Sequence, residues 1–229
     1  MAIKIKSTRD FKSHGVKGLV YGPAGIGKTR LCATAPDPLI ISAEAGLLSL
    51  ADVDIPVIDV KTVDDVNEVY DWIKLSKEAN QYKTICLDSI TEIAEVLLST
   101  FKAEDKDARQ AYGRLADEMT KTIRAFRDLD GKNVYFSAKQ ARVLNDVGVT
   151  MYLPSMPGKQ LLNALPFFFD EVFAYRIGNL EDGTEYRYLQ TYADLRYEGK
   201  DRSGKLNNIE KPDLAYIYNK ISGADSEKN

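Results

Sequence analysis

Gly22, Pro23, Ala24, Gly25, Ile26, Gly27, Lys28 and Thr29 fit the pattern G-x-x-x-x-G-K-[ST]. Those residue types at that spacing do one kind of chemistry, which is to hold a chain of phosphates. Glycines let the backbone wrap an anion closely with its N–H groups turned inward, and a helix that begins at the loop offers its positive N-terminus. Lys28 is placed to reach the β- and γ-phosphates of ATP, and the Thr29 hydroxyl to ligate Mg²⁺. Arg30 follows as a further nucleotide contact. The alternative is a chance glycine-rich turn. At glycine usage of about 7% the pattern arises by accident in about 1% of chains this long, so the phosphate loop is the stronger reading.

Three more residues suit the same site. Residues 84–88 (Thr-Ile-Cys-Leu-Asp) are an apolar run ending in a carboxylate, as a Walker B strand is. A strand buried between helix layers brings its last side chain out beside the loop, where Asp88 can hold Mg²⁺ through water. Glu44 follows the run at residues 38–42, at the carboxyl edge where open α/β sheets place ligands. A glutamate there can orient and deprotonate a water attacking the γ-phosphate; otherwise it is a solvated loop residue. Residues 133–140 end in Gln140, an amide that can sense the γ-phosphate from a strand tip or else is an ordinary polar loop residue.

These groups need a frame. Residues 16–21 read as a buried strand before the loop, and residues 30–35 as a short helix stopped by Pro36 and Pro38. Further strands are expected at 38–42, 56–60, 84–87 and 133–138. Thr62 with Asp65 forms a capping box for a helix carrying Val66, Val69, Tyr70 and Ile73 on one face. Ile90, Ile93, Ala94 and Leu97 mark a second helix, and Leu115, Met119, Ile123 and Phe126 a third. Such alternation, with connections too long for hairpins, predicts an α/β fold with a mostly parallel central sheet flanked by helices. After Gln140 the polar bends at 145–148 and 179–184 predict antiparallel hairpins, with a short helix at 158–165 between them. A last helix starts at Pro212-Asp213 and carries Leu214, Ile217, Tyr218 and Ile221. The expected organisation is one domain: a lead-in at 1–15, a core at 16–222 and a frayed tail at 223–229.

Composition narrows the classes. The chain has 229 residues, 44% of them hydrophobic, enough for a sizeable core. Its net charge is −3, so nucleic acid would have to be met by a local patch and not by the field of the whole molecule. No apolar run approaches a membrane span and the N-terminus reads as no signal peptide, so a cytoplasmic protein without a membrane partner is expected. Cys32 and Cys86, the two cysteines, read as reduced apolar residues.

The phosphate loop, Glu44 in Ser42-Ala43-Glu44-Ala45-Gly46, Asp88-Ser89 and the strand-end Gln140 resemble the RecA-like P-loop NTPase core. Gly199-Lys200-Asp201-Arg202-Ser203-Gly204 is similar to the K-x-R-x-G segment of RadA-like proteins and replicative helicases. There it supplies cations to a neighbouring subunit's ATP, which would make Lys200 and Arg202 trans-acting. Residues 16–222 as a whole look like the phage group of small RecA-like ATP-binding proteins, the Sak-type single-strand annealing recombinases. That resemblance implies ATP hydrolysis with Mg²⁺, and a homo-oligomer, ring or filament, on single-stranded DNA. It also implies annealing or strand pairing, a single-strand binding protein as a further partner, and a phage-infected bacterial host. It puts two DNA-facing loops near residues 101–112 and 141–159. Lys102, Lys106, Arg109, Arg142 and Lys159 would be the DNA contacts, interleaved with Tyr112 and Tyr152 as a single strand prefers. Taken singly, each of these is also an ordinary solvated loop residue. An ATP-dependent assembly or packaging ATPase acting on protein shares every ATP-site residue. A P-loop kinase for a nucleotide or small metabolite is the third alternative.

Overall fold

In the computed structural model, which describes residues 7, 14–44 and 46–223, the first strand alternates between two core layers. β1 (Lys17–Gly22) is buried along its whole length. Leu19 and Tyr21 enter one apolar cluster, and Val20 enters the other. A strand buried on both faces is what a parallel sheet covered on both sides requires. The same division recurs in β2 (Pro38–Ser42), β4 (Thr84–Asp88), β5 (Asn133–Leu144) and β7 (Glu171–Asn179). The predicted α/β fold with a mostly parallel central sheet is what the chain adopts.

Among the described residues the sheet has ten strands. Its parallel part runs β3 (Val57–Asp59), β2, β4, β5, β1, β7, so β5 lies between the phosphate-loop strand and the Walker B strand. Helices α2 (Val63–Leu75), α3 (Ile90–Glu104), α4 (Ala108–Arg127) and α5 (Lys159–Ala164) cover one face. The short α1 (Lys28–Leu31) and α6 (Leu214–Ser222) cover the other. The Thr62 capping box forms as expected: the Thr62 hydroxyl accepts from the Asp65 N–H at 3.1 Å, and Asp65 accepts from the Thr62 N–H at 2.9 Å. Cys32 and Cys86 are free and buried. No described helix is long and apolar enough to cross a membrane.

Three boundaries differ from the sequence reading. The expected helix at 30–35 begins earlier, at Lys28, and ends as a 3₁₀ turn at Cys32–Thr34. The edge strand expected at 56–60 shortens to Val57–Asp59. β5 does not stop near Gln140 but runs on to Leu144 and returns as β6 (Thr150–Pro154), with Arg142 opposite Tyr152. The second hairpin pairs β7 with β8 (Glu185–Gln190), and β10 (Ile209–Glu210) lengthens that antiparallel edge. The expected lead-in, apart from Ser7, His14 and Gly15, and the tail beyond Gly223 lie outside the described residues.

The amino edge of β7 holds an unusual carboxyl pair. β9 (Lys200–Asp201) sets Asp201 opposite Glu171. Glu171 Oε1 accepts the Ser203 N–H at 3.2 Å, while its buried Oε2 receives no hydrogen bond. Burial, followed by the charge of Asp201, pushes the Glu171 carboxyl up to about 9. Burial also acts to raise Asp201, but donors from Ser203, Leu206 and Gly204 outweigh it and hold Asp201 below the usual carboxylate range. The proton of the pair therefore resides on Glu171. A carboxyl raised on folding binds its proton in the native state and not in the unfolded one. Stability is lost as pH rises from the unfolded value of 4.5 through about 9. Glu171→Gln keeps a donor with no proton to lose. Its stability advantage over wild type in urea melts should grow steadily from pH 5 to pH 9, and an advantage independent of pH would show that Glu171 is ionised in the fold.

Candidate active site

β1 delivers Gly22 to the loop beside the end of β7. A Cβ at Gly22 would stand 3.0 Å from the Tyr175 carbonyl and 3.1 Å from Ile26 Cγ2, so a side chain there would fit only if the loop or β7 gave way by a few tenths of an ångström. Gly27 has φ +110, a conformation that strains any other residue. The helix then starts at once, with the Leu31 N–H donating to Gly27 O at 2.9 Å. Tyr135, buried on β5, donates its hydroxyl to the Lys28 carbonyl at 2.8 Å and fixes that helix to the sheet. Lys28 Nζ curls back over the loop and donates to the carbonyls of Gly22 at 3.0 Å and Pro23 at 3.1 Å. Burial lowers its pKa, while Asp88 and Glu44 act to raise it and Lys139 to lower it, which puts all three within electrostatic reach of the ammonium.

Asp88 ends β4 as the sequence implied, and its residue is 3% exposed. The Thr29 hydroxyl donates to Oδ2 at 2.6 Å, and the Ser137 hydroxyl from β5 donates to Oδ1. Hydroxyl and carboxylate oxygens thus meet at one point, a hard donor set suited to Mg²⁺. Among the described residues no group of three or more His, Cys, Asp or Glu forms an all-protein metal cage. Mg²⁺ at such loops takes one carboxylate and one hydroxyl and leaves its other positions to phosphates and water.

Glu44 lies across the same edge. Ser89, which follows Asp88 through a cis peptide bond, donates its hydroxyl to Glu44 Oε1 at 2.7 Å. The same Ser89 oxygen accepts from the Glu92 N–H at 3.3 Å as the N-cap of α3. Lys139 Nζ bridges Glu92 at 2.7 Å and Glu95 at 2.6 Å. Gln140 comes one residue later, paired with Pro154 at the root of the β5–β6 hairpin. Lys28, Thr29, Asp88 and Glu44 are therefore assembled around one loop. Arg30, expected as a nucleotide contact, has its guanidinium held by both Asp52 oxygens and by the Ser49 carbonyl at 3.1 Å.

The other expected residues fall in two places. Lys102 ends α3 with its ammonium 5.1 Å from the Tyr112 ring centre. The Tyr112 ring lies against Gly158, 3.3 Å from where a Cβ would stand, and exposed Lys159 follows. The two segments proposed to face DNA thus meet at Tyr112. Lys106 and Arg109 are exposed where α3 turns into α4, and Arg142 is exposed on the hairpin. Lys200 Nζ donates to the carbonyls of Phe169 at 2.7 Å and Pro166 at 3.2 Å, and Arg202 pairs with Asp170 at 2.6 Å. Both lie at the amino edge of the sheet, since Asp201 shares a rung with Glu171, which pairs with Gly18. At a rise of about 3.3 Å per residue that is about 13 Å short of Gly22. The close approach that Gly199 allows is internal, since a Cβ there would stand 2.3 Å from the Tyr192 carbonyl.

Sequence reasoning missed Ser137 and Tyr135. Ser137 was findable in principle, as the one serine in the buried run 134–138 of the strand next to Asp88's strand.

A central β5, a phosphate loop opening a helix and a Walker B carboxylate bonded to the loop threonine define a P-loop NTPase domain. A family model described as an AAA domain matches residues 14–203, and the chain belongs to that family. Among solved structures, the chain is similar to a KaiC-like protein from the hyperthermophilic archaeon Pyrococcus horikoshii OT3. The identity is 15%, the match covers 77% of each chain, and the TM-score is 0.42. No curated protein matches the sequence.

Ser137→Ala should remove one of the two donors that compensate buried Asp88. A loss of about 1–3 kcal/mol in urea unfolding is expected, because a buried acceptor is left unsatisfied. Mg²⁺-dependent nucleotide affinity should fall in parallel. Wild-type stability and affinity in this variant would mean that Thr29 alone secures Asp88.

Proposed function

We propose that this chain hydrolyses ATP with Mg²⁺, and that its nucleotide state controls a grip on single-stranded DNA within an assembly of like subunits, so as to promote annealing or strand pairing. The observation that carries the reading is the length of β5. One strand passes Ser137 at the Asp88 carboxylate and Lys139 at the start of α3, then continues through Gln140 to Arg142 on an exposed hairpin. A shift at the phosphate end of such a strand reaches the hairpin without any loop to absorb it. The base of the hairpin is tied to the same helix: Thr91 donates to the Ser155 carbonyl at 2.9 Å and accepts from the Lys139 N–H at 3.0 Å.

At the phosphate end, Glu44 is oriented by Ser89 through Oε1, which leaves Oε2 to take a proton from the attacking water. Lys28 exchanges the carbonyls of Gly22 and Pro23 for β- and γ-phosphate oxygens. Thr29 and Asp88 would hold Mg²⁺, which, when bound, neutralises charge on the phosphates. At the DNA end, Lys102 over Tyr112, with Lys159 beside it, offers cations next to an aromatic face. Lys106, Arg109 and Arg142 extend that charge. Glu104 and Asp105, which would offset it, are engaged by Arg114, at 2.9 Å in each case. A single strand, with an anionic backbone and stacking bases, suits such a surface.

Lys200 and Arg202 sit too far from the chain's own loop to serve its own nucleotide, which supports their donation to a neighbour. Cations of this kind are worth about 10³ to 10⁵ in rate. Mixing Arg202→Ala with Lys28→Ala protein should then restore part of the activity lost in each.

The test is ATP turnover and single-strand binding, each measured with and without the other ligand. Single-stranded DNA should raise turnover, and ATP should tighten DNA binding. Glu44→Gln should keep ATP but slow its hydrolysis about 10² to 10⁴-fold, and Arg142→Ala should weaken DNA alone. DNA binding indifferent to ATP, with turnover indifferent to DNA, would refute the coupling. ATP turnover that responds only to a protein substrate would mark an assembly or packaging ATPase, and phosphate transfer to a small acceptor a kinase.

A further inference from the structure

The phosphate loop has two flanks, and the residues so far assigned occupy one of them. β1 has β5 on one side and β7 on the other. Ser137 and Lys139 belong to β5, and Asp88 and Glu44 lie beyond it, on β4 and on the segment after β2. A triphosphate whose γ-phosphate faces Glu44 and Asp88 must leave its nucleoside end toward β7 and β8. Two side chains stand there. Seen from Gly27, the Tyr175 hydroxyl lies 3.5 Å, and a terminal nitrogen of Arg187 3.8 Å, from where a Cβ would be. Arg187 pairs with Ile177 across the β7–β8 hairpin, which holds its backbone in place.

The Arg187 guanidinium is exposed and makes no hydrogen bond or ion pair among the described residues. Arg30, Arg114, Arg127 and Arg202 are by contrast committed to Asp52, to Glu104 and Asp105, to Asp128 and to Asp170. Among the described residues Arg109, Arg142 and Arg196 also lack such a partner, but Arg187 is the one whose guanidinium lies beside the phosphate loop. Tyr175 backs it. That ring is buried, and burial raises its phenol while the Arg187 charge acts to lower it, a sign of how close the two lie. Both groups therefore lie within ordinary contact distance of the loop at Gly27. An always-charged planar fork beside a phosphate loop is suited to oxygen pairs on phosphate and to stacking on a base.

We propose that Arg187 grips the α-phosphate and nucleoside end of a nucleotide bound to its own subunit, so that the C-terminal hairpin closes the site from the side opposite Glu44. This rests on the reading of the loop as a nucleoside triphosphate site and adds a cis contact to it. Arg187 is a positioning residue, since the bond that breaks lies at the other end of the triphosphate.

The experiment is titration of wild type, R187A, R187Q and R187K with ATP and ADP by calorimetry, together with steady-state turnover. ATP and ADP affinity should fall by the same factor, about tenfold, in R187A and R187Q, and R187K should recover part of it. KM for ATP should rise about tenfold with kcat within about twofold, and the melting temperature without nucleotide should stay at the wild-type value. Mixing R187A with Lys28→Ala protein should restore nothing beyond the sum of the two, because both groups act on one subunit's nucleotide. Unchanged affinity in R187A would overturn the proposal. A loss confined to ATP would do so as well, since it would put the guanidinium on the γ-phosphate, and rescue by mixing would put it in trans. Failure of wild type itself to bind either nucleotide would remove the site reading, and this contact with it.

Discussion

The site is organised by one burial constraint. An ionised carboxylate removed from water costs several kcal/mol unless donors replace its hydration. Asp88 is buried at the end of β4, and its two oxygens are met by Thr29 from α1 and Ser137 from β5. Each donor reaches it only if its own element is correctly set. Ser137 requires the register that pairs Leu87 with Phe136 and Val20 with Ser137. Thr29 requires α1 to start at Lys28, which Tyr135 secures from the same strand. A slip of one residue in β5 would turn Ser137 to the opposite face and leave Asp88 half satisfied. The phosphate loop, the Walker B strand and the strand between them are therefore held in one arrangement by a polar contact as well as by apolar packing.

How much of this was legible follows from where the information lies. Loop, strands and helices announce themselves within windows of ten or so residues, so the parallel frame, the Thr62 cap and both hairpins could be read directly. Asp88 and Glu44 were legible because each ends an apolar run beside a recognisable loop. Ser137 was not, because its role depends on a register between β4 and β5 that no local window contains. The far end of β5 was hidden for a different reason. Lys139-Gln140-Ala141-Arg142 is polar enough to pass for a loop, and only its pairing with β6 makes it strand. Arg187 was beyond reach because the hairpin that carries it meets the loop only after the chain has closed the sheet.

The same sheet gives its two edges opposite characters. At the carboxyl edge, carboxylates, hydroxyls and a lysine are held by one another and by the loop carbonyls. At the amino edge the charges are spent internally. Glu171 keeps the proton of its pair with Asp201, and Lys200 is fixed by the carbonyls of Pro166 and Phe169.

That contrast bears on how the two amino-edge cations would serve a neighbour. Lys200 makes two hydrogen bonds to backbone carbonyls in a half-buried setting, and burial lowers its pKa. Each such bond contributes about 0.5–1.5 kcal/mol net, and withdrawing the ammonium would leave two carbonyls without a donor. Among the described residues the Arg202 side chain is held by Asp170 alone and is itself 56% exposed, and an ion pair in that setting is worth about 0–1 kcal/mol. Breaking it strands no buried group. The two cations of the segment are therefore unequal: Lys200 anchors β9 to the turn before β7, whereas Arg202 can leave Asp170 at little cost. Under the proposed donation to a neighbour, Arg202 would be the cation that moves, and Asp170 the partner it would leave.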